Sequence, residues 1–268
     1  MKPDIPSLAE LCAGGKPAIA RALAAIEQYT DDPAVIALLD AAWAAAQAHV
    51  IGLTGPPGVG KSTLINALLK TWRAQGRSVG VIAVDPTSRK TGGALLGDRT
   101  RLATDPEDRG VFVRSMAARG RLGGLAALTL PAMILMRAVF DIVLIETVGI
   151  GQSETDVANV ADTVIFCIQP GSGDSLQFMK AGIMETPHIA VVTKSDMQAA
   201  ARRAKADVEG ALGLAESREG NGGRRCSACR LRAMTVLRNS RRKLTGIRHG
   251  CERVAKARAP ARARRGIG

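Results

Sequence analysis

Gly55-Pro56-Pro57-Gly58-Val59-Gly60-Lys61-Ser62-Thr63 decides the fold of this chain. The stretch fits G-x-x-x-x-G-K-[ST] in full, follows the apolar run His49–Thr54 and opens a helical pattern, the strand–loop–helix context such a loop requires. Its glycines let backbone N–H groups turn inward around phosphate oxygens. Lys61 is then expected to reach the β and γ oxygens, and Ser62 to ligate Mg²⁺, with the helix N-terminus adding its dipole. Residues Gly55, Pro56, Pro57, Gly58, Val59, Gly60, Lys61, Ser62 and Thr63 are the expected nucleotide-binding loop.

Outward from this loop, residues 49–216 alternate short apolar runs with longer amphipathic stretches, the pattern of parallel strands joined by crossover helices. The expected strands are His49–Thr54, Ser78–Val84, Asp141–Ile145, Thr163–Ile168 and His188–Val192. Helices are expected over Lys61–Gln75, Leu125–Val139, Ser175–Glu185 and Gln198–Leu214. Residues 1–48 read as a helical extension, with Ala/Leu-rich runs at Ala18–Ile26 and Ala34–Ala48 and a turn or cap at Thr30-Asp31-Asp32-Pro33. The expected class is α/β: a P-loop NTPase with a mostly parallel sheet flanked by helices, extended by N-terminal helices and an irregular basic tail over 217–268.

Ligand loops in such sheets lie at the carboxyl ends of strands, and the remaining motifs fall there. Phosphoryl transfer needs acids to hold the metal. Glu146-Thr147-Val148-Gly149 looks like the D-x-x-G loop of GTPases with Glu in place of Asp, and Asp85 and Asp98 are further candidates. A lone Asp after a strand is as readily a turn or helix cap; the coincidence of several such acids favours the metal. Thr193-Lys194-Ser195-Asp196 resembles the N-K-x-D loop that reads guanine. An Asp carboxylate there accepts from guanine N1–H and N2–H₂, a donor pair adenine lacks, while the Lys194 stem packs on the ring. Thr193 replaces the usual Asn, so the loop-bracing hydrogen bond is expected to change.

Longer strings narrow the resemblance. Asp85-Pro86-Thr87-Ser88, Thr91-Gly92-Gly93-Ala94-Leu95-Leu96-Gly97-Asp98-Arg99-Thr100-Arg101, Leu122-Gly123-Gly124, Ile145-Glu146-Thr147-Val148-Gly149-Ile150-Gly151-Gln152-Ser153-Glu154 and Pro170-Gly171-Ser172-Gly173-Asp174-Ser175-Leu176-Gln177 resemble the methylmalonyl-CoA mutase-associated GTPases, the MeaB/ArgK group, from about residue 8 to about 215. The resemblance implies a GTP/GDP-binding, GTP-hydrolysing, Mg²⁺-dependent chaperone of an adenosylcobalamin-dependent acyl-CoA mutase, coupling hydrolysis to cofactor loading and protection. It implies switch segments over Asp85–Asp98, Glu146 to about Ala158 and about Gln169–Lys180. Ser62, Asp85, Asp98 and Glu146 carry over as metal and phosphate residues, Lys61, Glu146 and Gln152 as the catalytic set, and Thr193, Lys194 and Asp196 as the base loop. A homodimer built through a helical C-terminal arm is also implied, although the pattern for that arm is missing here. Other readings are a nickel-insertion GTPase, which would favour His-rich segments where this chain has His49, His188 and His249 only, an ATP-dependent kinase, and an inactive truncated copy.

Charge divides the chain sharply. Residues 1–216 carry 21 Lys/Arg and 22 Asp/Glu, and residues 217–268 carry 16 and 2, so the net +13 is the sum of −1 and +14. The basic segment has no aromatic residue and no clear period, and irregular structure is expected from it. An out-of-frame terminus is the favoured explanation. A nucleic-acid-binding arm is weakened by the lack of aromatics for base stacking, and a zinc site at Cys226-x-x-Cys229 with His249 and Cys251 is opposed by the crowding of arginines. No basic-then-apolar leader and no spanning apolar run are read, so a cytoplasmic protein without membrane contact is expected.

Overall fold

A computed structural model of the chain describes residues 5–85, 102, 104–117, 128–147, 153–171, 187–219 and 233–236. The elements run α1 (Leu8–Gln28), α2 (Pro33–Ala44), β1 (His49–Thr54), α3 (Lys61–Arg73), β2 (Val79–Asp85), β3 (Val111–Ala117), α4 (Thr129–Val139), β4 (Ile142–Glu146), α5 (Ser153–Val160), β5 (Thr163–Ile168), β6 (Ile189–Val192), α6 (Gln198–Glu219) and β7 (Ala233–Val236). The seven strands form one parallel sheet in the order β3-β2-β4-β1-β5-β6-β7. The strand feeding the phosphate loop, β1, is central. Its neighbours are β4 on one side and β5 on the other, the reversal of strand order that creates a ligand crevice in open α/β sheets.

Both faces of the sheet are covered, so the inner strands read as continuous apolar runs. Successive residues feed opposite layers. Val50, Ile82, Val84, Val143 and Ile145 pack with α1, α2 and α4, whereas Ile51, Leu53, Val81, Leu144 and Ile165 pack with Leu64, Ile65, Leu68 and Trp72 of α3. The N-terminal helices thus share one continuous apolar layer with the sheet.

Local signals account for where these helices start. Ser7 and Glu10 form a reciprocal capping box on α1, and Asp32 caps α2 by accepting from the Ala34 N–H at 2.8 Å, with Pro33 in the first turn. Inside α1 the chain kinks at Gly15, whose φ of 60° is followed by Pro17.

Several elements differ from the sequence expectation. Strand β2 ends at Asp85 and β4 at Glu146, each one residue later than expected, and β6 begins at Ile189. Two strands were not anticipated. Val111–Ala117 is an edge strand whose ladder lies on β2 alone, and Ala233–Val236 pairs with β6 inside the basic segment expected to be irregular. Helix α5 was also not anticipated, and α6 continues past residue 216 to Glu219. The helix expected over Ser175–Glu185 lies outside the described residues, as do Cys226, Cys229, His249 and Cys251. No helix among the described residues is long and apolar enough to cross a membrane.

Candidate nucleotide site

The phosphate loop leaves β1 at Thr54 and enters α3 at Lys61, with Gly55, Gly58 and Gly60 at φ values of 138°, 71° and 102°. Gly55 has a second constraint besides φ. A Cβ there would lie 2.4 Å from the carbonyl oxygen of Cys167 on β5, so only glycine lets the loop start this close to the sheet. Val59 is wholly buried and packs into the layer beneath α3, which anchors the middle of the loop from below. Lys61, only 7% exposed, donates to the carbonyls of Gly55 at 2.7 Å and Pro56 at 3.1 Å. Its ammonium is therefore folded across the mouth of the loop whose backbone it would share with phosphate oxygens.

Register brings the first acid to this loop. Leu53 of β1 pairs with Glu146 of β4, and the Ser62 hydroxyl donates to Glu146 Oε1 at 3.1 Å. The next residue is held as firmly: Thr147 N–H donates to the Leu53 carbonyl at 3.0 Å, and its buried hydroxyl meets Thr54 Oγ1 at 3.0 Å. A hydroxyl and a carboxylate side by side are hard oxygen ligands of the kind Mg²⁺ takes. Of the four expected metal residues, Ser62 and Glu146 are thus brought together. Asp85 ends β2, opposite Ala117 in the ladder, and nothing further is described of it; Asp98 lies outside the described residues, and so does the expected catalytic Gln152. Among the described residues no group of three or more His, Cys, Asp or Glu side chains could hold a metal ion.

Beneath the loop sits Cys167, fully buried. Burial pushes its thiol up to about 12, with the Lys61 ammonium pulling it down and the Glu146 carboxylate pushing it up.

The base loop follows β6. Thr193 N–H donates to the Ile168 carbonyl at 2.9 Å, and the Thr193 hydroxyl lies 2.6 Å from the Val59 carbonyl and 3.1 Å from that of Ile168. A bracing hydrogen bond is therefore present with Thr in place of Asn, made by the threonine hydroxyl. Lys194 takes left-handed geometry (φ 46°, ψ 45°) and donates from Nζ to Gln169 Oε1 at 2.9 Å. Asp196 lies exposed in the 3-10 turn Ser195–Met197. Sequence reasoning missed Val59 as an anchor and Gln169 as a lysine partner. Only the crossing of loops in space reveals either.

Comparison with known proteins bears on the family of the chain. A family model described as methylmalonyl Co-A mutase-associated GTPase MeaB matches residues 19–261, which takes in most of the basic segment. A putative GTPase of Pyrococcus horikoshii is 54% identical over 154 residues, covering 57% of this chain and 49% of that protein. The mouse protein named methylmalonic aciduria type A homolog, mitochondrial, is 43% identical over 171 residues, covering 63% of this chain and 41% of its own. The chain spans about half the length of these curated relatives. A crystal structure titled LAO/AO transport system kinase superposes with a TM-score of 0.68 at 27% identity, over 93% of this chain and 74% of that one. With a phosphate loop, an acid on the adjacent strand and a family match running over nearly the whole sequence, the chain belongs to the methylmalonyl-CoA mutase-associated GTPases.

Proposed function

We propose that this chain binds GTP and GDP with Mg²⁺, hydrolyses GTP, and serves as a chaperone for an adenosylcobalamin-dependent acyl-CoA mutase. The observation that carries the nucleotide half is the 2.6 Å contact from Thr193 to Val59, which seats the loop bearing Lys194 and Asp196 directly against the phosphate loop. Gly55–Thr63 cradles the phosphates, and the Lys61 ammonium exchanges its carbonyl partners for β and γ oxygens. Asp196 accepts from the guanine edge, and the Lys194 stem packs on the ring.

Ser62 and Glu146 would hold Mg²⁺, with Asp85 and Asp98 as the further acids of the set. Held there, it would supply neutralisation of the phosphate charge. Lys61 adds positive charge at the transferring phosphoryl, and Glu146 orients the Ser62 hydroxyl by accepting its proton in a hydrogen bond. Gln152 positions the attacking water. Loss of the γ-phosphate would release the segment after Glu146, giving a two-state switch for the partner to read.

The mutase partner is supported by the family description and by the name of the mouse relative. The structure titled as a kinase supports the alternative of ATP-dependent transfer. Titration of the purified chain with GTP and ATP separates the two: a guanine preference with Mg²⁺-dependent hydrolysis, raised by added mutase, is expected. A preference for ATP would overturn the guanine reading, and turnover indifferent to the mutase would overturn the partner. Unchanged basal and stimulated rates in Gln152→Ala would remove that residue from the mechanism.

A further inference from the structure

The ends of β5 and β6 are joined more tightly than sheet pairing requires. Past the last ladder pair, Ile168 with Val192, Thr193 donates its N–H to Ile168 and brings its hydroxyl to the same carbonyl. One residue further along each chain, Lys194 Nζ reaches Gln169 Oε1 at 2.9 Å. A lysine–amide contact at the surface contributes little by itself. Here it is attached to a backbone outlier, because Lys194 is a non-glycine residue held in the left-handed region at φ 46°. Left-handed geometry is costly for a residue carrying Cβ and persists where the surroundings fix it, commonly at a ligand site.

We propose that Gln169 is a positioning residue for the base site. Its amide oxygen holds the Lys194 ammonium from the β5 side, so that the lysine stem is set in place before a purine ring packs on it. Holding the ammonium also keeps it from folding onto the exposed Asp196 carboxylate two residues on, which would occupy the acceptor that guanine needs. This inference rests on the guanine reading of Thr193–Asp196.

The test is displacement of a fluorescent guanine nucleotide from the purified full chain by GDP and by ADP. In Q169L the GDP affinity is expected to fall by about tenfold while ADP affinity stays, so the GDP-to-ADP preference drops by the same factor. Q169E, which keeps an acceptor within reach, is expected to retain the preference to within about threefold. Q169S, too short to reach the ammonium, replaces the leucine variant if that one fails to fold and is expected to lose the preference equally. A guanine preference in the parent chain that persists in Q169L or Q169S overturns the proposal alone. Equal loss in Q169E also overturns it, because the acceptor would then be irrelevant. Equal GDP and ADP affinity in the parent chain overturns the guanine reading itself.

Discussion

The Thr193 hydroxyl and the Val59 carbonyl oxygen, separated by 134 positions in sequence, meet at 2.6 Å, and both residues are buried. This contact makes the phosphate loop and the base loop one mechanical unit. Replacing Thr193 with Val keeps the shape and removes the hydroxyl, leaving a buried acceptor on Val59. The expected cost is about 1–3 kcal/mol of folding stability, together with weaker GDP binding. Thr193→Asn is expected to restore the bridge. Denaturant unfolding with and without GDP measures both effects, and a valine variant matching the parent in each would contradict the bridging role.

Gly55 is held by a contact rather than by loop chemistry alone. In Gly55→Ala the new methyl would meet the Cys167 carbonyl, and the loop would have to lift from β5 or β5 would have to bend. A destabilisation of about 1–3 kcal/mol is expected, accompanied by loss of measurable GTP binding. Calorimetry of the variant with nucleotide checks the second part independently of the first.

Metal dependence should reside in the Ser62–Glu146 pair. In Ser62→Ala and in Glu146→Gln, the gain in GTP affinity on adding Mg²⁺ is expected to shrink by at least about tenfold, whereas affinity measured in EDTA stays near the parent value. A full Mg²⁺ effect in both variants would place the ion elsewhere.

Acid should unfold the chain through its paired carboxylates. The Arg73 guanidinium, hydrogen-bonded to both carboxylate oxygens of Asp108, holds that carboxyl below its ordinary value; the Ser78 backbone N–H does the same for Asp141. Both folded values are depressed. The stability they contribute is therefore complete above the unfolded carboxylate value of about 3.9 and is lost as pH falls through the folded values. Thermal midpoints measured from about pH 7 down to about pH 3 should drop steeply below about pH 4, and the drop should be shallower in Asp108→Asn. An identical acid limb in that variant would rule the pair out as its source.

The two cysteines among the described residues should differ in reactivity. Cys12 is exposed, whereas Cys167 is fully buried with its thiol pushed up to about 12. A water-soluble maleimide should label Cys12 in the native chain and reach Cys167 only after unfolding, which peptide mapping by mass spectrometry resolves.

The inner sheet was legible because buried parallel strands are apolar on both faces. His49–Thr54 and Thr163–Ile168 appear in the structure with the bounds their composition suggests. Strand β3 escaped because it is an edge: Val111 and Phe112 are buried, but Val113, Arg114 and Ser115 are only partly covered, which breaks both the continuous and the alternating pattern. Arg114 is spent on Glu27 of α1 at 2.6 Å, a partner no local pattern announces. Strand β7 is four residues long and set among arginines, too short to rise above its surroundings. At the site, the loop motifs were readable one by one. Thr193 was read as a departure because Asn is the usual residue, yet the distance it must span is set by where Val59 sits, and that position is a property of the packed sheet.

The shared apolar layer of α1, α2 and α4 bears on how the chain is made. Synthesis delivers α1 and α2 before the sheet, with Leu11, Ile19, Leu23, Val35 and Leu38 ready for burial. Their cover comes from Ile82, Met133, Met136 and Val143, the last of which leaves the ribosome more than a hundred residues after Leu38. At roughly 5–20 residues per second the two helices wait about 5–20 seconds with that surface in water. The two helices are thus exposed well before the residues that cover them are made, and that delay is built into the order of the elements.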